Sequence, residues 1–84
     1  MSIEQEIRSY ILENYLFTDD ESALDNRDSF LEKGILDSTG ILEVIYFIED
    51  EYGIKVADEE MVPENLDSVE RLVAYVGRKQ AASA

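Results

Sequence analysis

Ser38 carries the hydroxyl of this chain that is best placed to do chemistry. It follows Asp37 directly and opens an amphipathic run with four acidic residues and no basic one before Gly53. A serine at the start of a predicted helix lies near the positive end of the helix dipole and the unpaired N–H groups of the first turn. This position suits a helix cap, and it also tolerates a negatively charged group attached to the hydroxyl. The residues alone leave both interpretations open.

The composition argues against self-contained catalysis. The chain has neither Cys nor His, which removes the thiolate nucleophile, the commonest general base and the commonest zinc ligand. No Lys is placed near Ser38 in sequence to activate its hydroxyl. The acidic stretches do not fit the spacing of an EF-hand loop. We therefore predict a chain that is not an enzyme and that holds no metal.

The charge of the chain predicts the kind of partner it meets. The formal net charge is −13, which argues against nucleic acid and favours basic protein surfaces. Residues 38–52 carry −4, and no Lys or Arg stands between Lys33 and Lys55. The acids of this segment therefore do not serve in ion pairs along their own helix. We interpret them as a docking surface, with a merely solvated face as the alternative.

The length fits one domain, which we predict to span residues 1–80, with residues 81–84 as a frayed C-terminal tail. There is no apolar run of about 18 residues, so we predict no membrane span. There is no basic-then-apolar beginning typical of a secretory signal. We expect a cytoplasmic monomer.

Helical periodicity predicts an all-α fold, a small four-helix-type bundle of three main helices plus a short one. The first helix is predicted over residues 3–16, and the second runs from Ser38 to a glycine terminator at Gly53. The last helix follows Asp67, which has capping-box spacing to Glu70. A short helical segment is predicted within residues 58–65, limited by its proline.

A long loop over residues 17–37 is predicted between the first and second helices. It shows no sustained period, so it needs side chains that pin it to the core. We predict a short helical turn near residues 29–32. The predicted pins are the apolar residues Leu24, Phe30, Leu31, Ile35 and Leu36.

The segment Gly34-Ile35-Leu36-Asp37-Ser38-Thr39-Gly40-Ile41 resembles the attachment site of the acyl carrier protein family. The resemblance extends over nearly the whole chain, through Phe30-Leu31-Glu32-Lys33, Glu49-Asp50-Glu51-Tyr52-Gly53-Ile54 and Asp67-Ser68-Val69. The family commonly has Leu or Met after the modified serine. Thr39 departs from that pattern and makes this part of the partner-binding surface less apolar.

The resemblance implies that a phosphopantetheinyl transferase attaches 4'-phosphopantetheine from coenzyme A to Ser38. The chain would then hold acyl groups as thioesters on this arm and deliver them to partner enzymes, as in fatty acid or polyketide biosynthesis. Asp37 would take part in recognition by the transferase. We predict a partner surface formed by Asp37, Thr39, Leu42, Glu43, Phe47, Glu49 and Asp50, where Leu42 and Phe47 are included because they fit the buried stripe poorly.

Two alternatives stay open. An aminoacyl or D-alanyl carrier would use the same scaffold and the same arm. A different class is an unmodified acidic helical adaptor, in which Ser38 only caps its helix.

Overall fold

The computed structural model describes residues 2–83, and these form an all-helical bundle, which confirms the predicted fold class. Helix α1 spans Ile3–Ile11 and continues as one π-helical segment, Leu12–Leu16. Helices α2, α3 and α4 span Ser38–Tyr52, Pro63–Leu66 and Val69–Ser83. Two short 3-10 turns lie at Glu21–Ala23 and Asp58–Glu60. Helix α4 includes residues 81–83 and Ala84 lies outside the described residues, so the frayed tail stays a prediction.

The three long helices share one hydrophobic core. Near one end of the α1–α2 pair, the Tyr52 hydroxyl donates to Glu6 Oε1 at 3.0 Å, and at the other end Tyr15 and Gly40 line the same cavity. Helices α1 and α2 are therefore antiparallel, and the end of α1 lies beside the start of α2. The core residues with 2% exposure or less on these helices are Ile7, Ile11, Leu12, Val44, Ile45, Ile48, Val69, Leu72, Tyr75 and Val76.

The loop between α1 and α2 is pinned by apolar and by polar contacts. Leu24, Phe30 and Leu36 are buried as predicted, whereas Leu31 is 49% exposed and was wrongly assigned to the pins. Arg8, which the helical pattern places on the polar side of α1, is only 8% exposed. Its guanidinium bonds loop residues at three points. Nε donates to Glu21 Oε1 at 3.1 Å, Nη2 to the Glu21 carbonyl at 2.6 Å and Nη1 to Asn26 Oδ1 at 2.6 Å.

Asp67 ties the same loop to the start of α4. Its carboxylate accepts the Leu31 N–H at 3.1 Å and the Ser29 hydroxyl, and its carbonyl accepts the Phe30 N–H at 3.0 Å. The prediction that Asp67 caps α4 was wrong. Ser68 does so, because its Oγ accepts the Arg71 N–H at 3.1 Å.

The segment between α2 and α4 carries little regular structure and is bonded to α4. Residues 54–56 form a connector that buries Ile54 and Val56. Pro63 begins α3, where its missing N–H removes no helical bond. Glu60 Oε1 accepts Lys79 Nζ at 2.9 Å and the Tyr75 hydroxyl at 3.1 Å. Across residues 2–83, no helix is both long and apolar enough to cross a membrane.

Candidate functional site

The sequence left two roles open for Ser38, a helix cap and an attachment point. In the structure the cap of α2 is Asp37 and not Ser38. Asp37 is the N-cap of α2, since its Oδ1 accepts the Gly40 N–H at 2.8 Å. Ser38 is the first helical residue and is exposed. Among the hydrogen bonds of residues 2–83, none involves Ser38 Oγ. The cap interpretation of Ser38 is therefore wrong, and its hydroxyl is left open to solvent at the positive end of α2.

Gly40 packs closely against the residues that precede α2. A Cβ built on Gly40 would lie 3.2 Å from Leu36 Cδ2 and 3.4 Å from Asp37 Oδ1. Leu36 is buried in the core, so it has little room to move. The small residue thus allows the start of α2 to pack closely against Leu36 and the Asp37 cap.

An apolar groove begins beside Ser38. It encloses about 370 Å³ between α2, the loop before it and the segment that includes α3. Its polar lining groups are Ser38 and Asp67, and the carboxylate of Asp67 is already bonded to Ser29 and Leu31. Its apolar walls are Leu31, Ile41, Leu42, Ile45, Met61, Val62, Pro63 and Leu66. A hydroxyl at the mouth of an apolar groove suits a group that is attached at one end and apolar further along.

Comparison with known proteins then decides the family. The chain is 31% identical to a D-alanyl carrier protein of Abiotrophia defectiva over 81 residues, which is 95% of this chain and 99% of that relative. It is 34% identical to an acyl carrier protein of Akkermansia muciniphila over 79 residues, 94% of each chain. An acyl carrier protein of Buchnera aphidicola is 37% identical over 54 residues, 64% of this chain and 66% of the relative.

The chain belongs to the acyl carrier protein family. Its relatives over nearly full length are named as carriers, and its all-helical fold agrees with a carrier bundle. No family model matches the chain. Ser38, which the resemblance marks as the attachment site, lies exposed at the first residue of α2.

The acidic residues predicted as a docking surface of this carrier-family chain fall into two groups. Glu43 and Asp50 are exposed, and neither forms an ion pair with a basic side chain within residues 2–83, although Glu43 lies beside the Tyr15 hydroxyl. Glu49 is half-buried, and its Oε2 accepts the Val56 N–H at 2.9 Å. Glu49 therefore joins the end of α2 to the connector after it. Its replacement by Lys would disturb the fold as well as the surface charge.

The uncharged residues predicted at the partner surface also fall into an exposed group and a half-buried one. Thr39 is exposed, and Leu42 is 44% exposed beside the groove. Phe47 is half-buried and stacks on Tyr10, with ring centroids 4.1 Å apart and planes 17° apart. Phe47 thus packs α2 against α1, while Thr39 and Leu42 lie open on the Ser38 side of α2.

Tyr46 and Tyr15 lie near these residues and were not predicted as site residues. Tyr46 is 64% exposed and follows Glu43 by three residues, so the helical spacing could have placed it on the same face. The Tyr15 hydroxyl is buried and has no hydrogen-bond partner in the described part of the chain. Burial, and the neighbouring Tyr10 and Glu43, raise the pKa of Tyr15 above its ordinary range. No sequence signal marks that hydroxyl, because its burial depends on packing between α1 and the loop before α2.

Proposed function

We propose that this chain is a non-catalytic carrier that holds acyl groups on a 4'-phosphopantetheine arm attached through Ser38 Oγ. The observation that supports it is the serine hydroxyl, exposed and unbonded at the first residue of α2 while Asp37 performs the capping. Family membership supports the carrier role. The chain then acts as a substrate of a phosphopantetheinyl transferase, and it works as a monomer.

The residues around Ser38 fit such a group. The hydroxyl is accessible, and the first-turn N–H groups favour the phosphate that would lie beside them. When attached, the arm supplies a terminal thiol on which acyl groups are held as thioesters, a group that this Cys-free chain lacks. Gly40 and the Asp37 cap hold Ser38 at the head of the helix. The groove beside it offers apolar walls to apolar cargo.

Intact-mass spectrometry tests the attachment directly. The purified chain is incubated with coenzyme A, Mg²⁺ and a broad-specificity transferase, and it should gain one phosphopantetheine. Ser38→Ala should gain nothing, whereas Thr39→Ala, which removes the adjacent exposed hydroxyl, should still gain one phosphopantetheine at the end point of the reaction. An unchanged mass of the parent would favour the unmodified adaptor instead.

A D-alanyl carrier is a second candidate, because the Abiotrophia relative carries that name over 99% of its length. Both carriers would gain the same arm, so loading does not separate them. The mass of the protein from its native cell reports the cargo. A mass beyond that of the arm that matches alanine would favour the D-alanyl carrier. A mass that matches a longer acyl group would favour the acyl carrier.

We further propose that basic partners dock on α2 through Glu43 and Asp50, next to Thr39 and Leu42. Two exposed acids with no basic partner on one face raise the rate of encounter with a basic surface, and salt screens that effect. Glu43→Lys with Asp50→Lys should raise the transferase KM for the carrier at low salt, and less at high salt. A matched control is the double variant Glu4→Lys with Asp58→Lys. It changes the net charge by the same amount, at two exposed acids that lie on other elements. Equal KM values in both double variants at low salt would contradict this docking proposal.

A further inference from the structure

Phe17 is exposed in a backbone conformation that a side chain disfavours. It ends the π-helical segment with φ +54° and ψ +42°, in the left-handed region, and its side chain is 83% exposed. Its N–H and that of Thr18 both donate to the Leu12 carbonyl, which fixes this conformation. A Cβ makes the left-handed region unfavourable, and an exposed ring gains nothing from burial. The left-handed conformation ends the helix, but the exposed ring has no packing role within the fold and is accessible to a partner.

Phe17 lies at the same end of the bundle as Ser38. Tyr15 lines a cavity of about 340 Å³ together with Asp37 and Thr39, the two neighbours of Ser38. Phe17 follows Tyr15 by two residues, so their Cα atoms lie within about 7 Å of each other. A typical partner covers about 800 Å², a patch roughly 30 Å across. The bundle measures only 34 × 27 × 19 Å, so a patch of that width at Ser38 is wide enough to extend to Phe17 at the same end.

The surroundings of Phe17 select the chemistry of that partner. The exposed acids Glu13, Asp19 and Asp20 flank it in sequence, whereas the carboxylate of the nearby Glu21 is paired with Arg8, and no Lys or Arg occurs between Arg8 and Arg27. An aromatic ring among carboxylates complements an apolar pocket bordered by Lys or Arg. A second copy of this chain, with its own charge of −13, would be repelled, as would an anionic lipid surface.

From this placement we infer that Phe17 is a second contact point for the transferase that modifies Ser38. This inference rests on the proposed function. The ring enters an apolar pocket with a basic border on the transferase, while the acids around it meet that border. Phe17 does not touch the reacting hydroxyl, so it acts on binding of the carrier and not on the transfer step.

Phe17→Gly separates this role from folding, because glycine adopts the left-handed conformation without strain. Its urea unfolding midpoint should equal or exceed that of the parent. With coenzyme A and a broad-specificity transferase, its KM for the carrier should rise about tenfold, as expected for loss of a buried aromatic anchor, with kcat unchanged. Phe17→Tyr retains the ring and should keep the parent KM.

Three results would overturn the inference. One is a KM for Phe17→Gly within about twofold of the parent. Another is a fall in kcat at unchanged KM. The third is self-association of the parent in sedimentation that Phe17→Gly abolishes, which would make a second copy the occupant. In each case the proposed function would still hold if the parent gains phosphopantetheine and Ser38→Ala does not. If the parent gains none, the proposed function itself is refuted.

Discussion

Replacement of Asp67 by Ala should strongly destabilise the bundle. The residue is 8% exposed, and its carboxylate accepts bonds from Ser29 and Leu31, which precede it by 38 and 36 positions. Hydrogen bonds to a charged group contribute about 1.5–3 kcal/mol each. The Ser29 hydroxyl can bond to water once the carboxylate is removed. We therefore take the lower value of this range for each of the two bonds. We expect Asp67→Ala to lower the free energy of unfolding by about 3 kcal/mol.

That loss is large for this chain. At roughly 0.05–0.15 kcal/mol per residue, 84 residues give a total stability of about 4–13 kcal/mol. Asp67→Asn retains one oxygen acceptor without the charge and should lose about half as much. Asp58 is an exposed acid whose side chain makes no hydrogen bond within residues 2–83, so Asp58→Ala should change stability by less than about 0.5 kcal/mol.

Urea unfolding followed by far-UV circular dichroism measures all three variants. The midpoint should fall in the order Asp58→Ala, Asp67→Asn, Asp67→Ala, with similar slopes. If Asp67→Ala unfolds within about 0.5 kcal/mol of Asp58→Ala, the carboxylate does not hold the loop, and the reasoning fails.

Two further predictions concern other side chains. Tyr15→Phe removes a buried hydroxyl that has no partner in the described chain, so thermal or urea unfolding should show stability unchanged or raised by up to about 1 kcal/mol. The control Tyr52→Phe removes a hydrogen bond to Glu6 and should lower stability. A larger loss of stability in Tyr15→Phe than in Tyr52→Phe would contradict this prediction. The pKa of Glu60 is lowered from its ordinary 4.5, mainly by the hydrogen bond from Lys79 and to a smaller extent by that from the Ala57 N–H. This carboxylate therefore stabilises the fold above about pH 4.5 and ceases to do so as pH falls through its lowered pKa. Glu60→Gln should be less stable at neutral pH and lose less on acidification; parallel pH profiles would refute this.

The long helices could be predicted from the sequence because each depends on residues close together in the chain. The period of apolar residues gave the helical span 3–16, and α2 ends at Gly53, whose φ of +64° suits glycine. The serine that the resemblance marked is exposed at the start of α2. These features require only a local pattern and a terminator.

The polar contacts of the loop could not be predicted in the same way. Arg8 reads as a surface residue between apolar positions, yet it is buried because Glu21 and Asn26 bond its guanidinium. Asp67 has the spacing of a cap, yet Ser29 and Leu31 engage its carboxylate. Such pairings join positions many residues apart, and each residue type has equally good local uses.

The sequence by itself determined the helical class, the acidic α2 and the serine at its head, because periodicity, charge and a short motif are properties of neighbouring residues. Only the tertiary structure decided that Asp37 caps the helix and leaves Ser38 Oγ unbonded, that Glu49 serves the connector, and that Leu31 and Met61 border a groove beside the serine. The groove depends on which distant segments meet. The cap and the Glu49 bond are local, but several neighbouring polar groups compete for each N–H, and the packed conformation decides which of them bonds it.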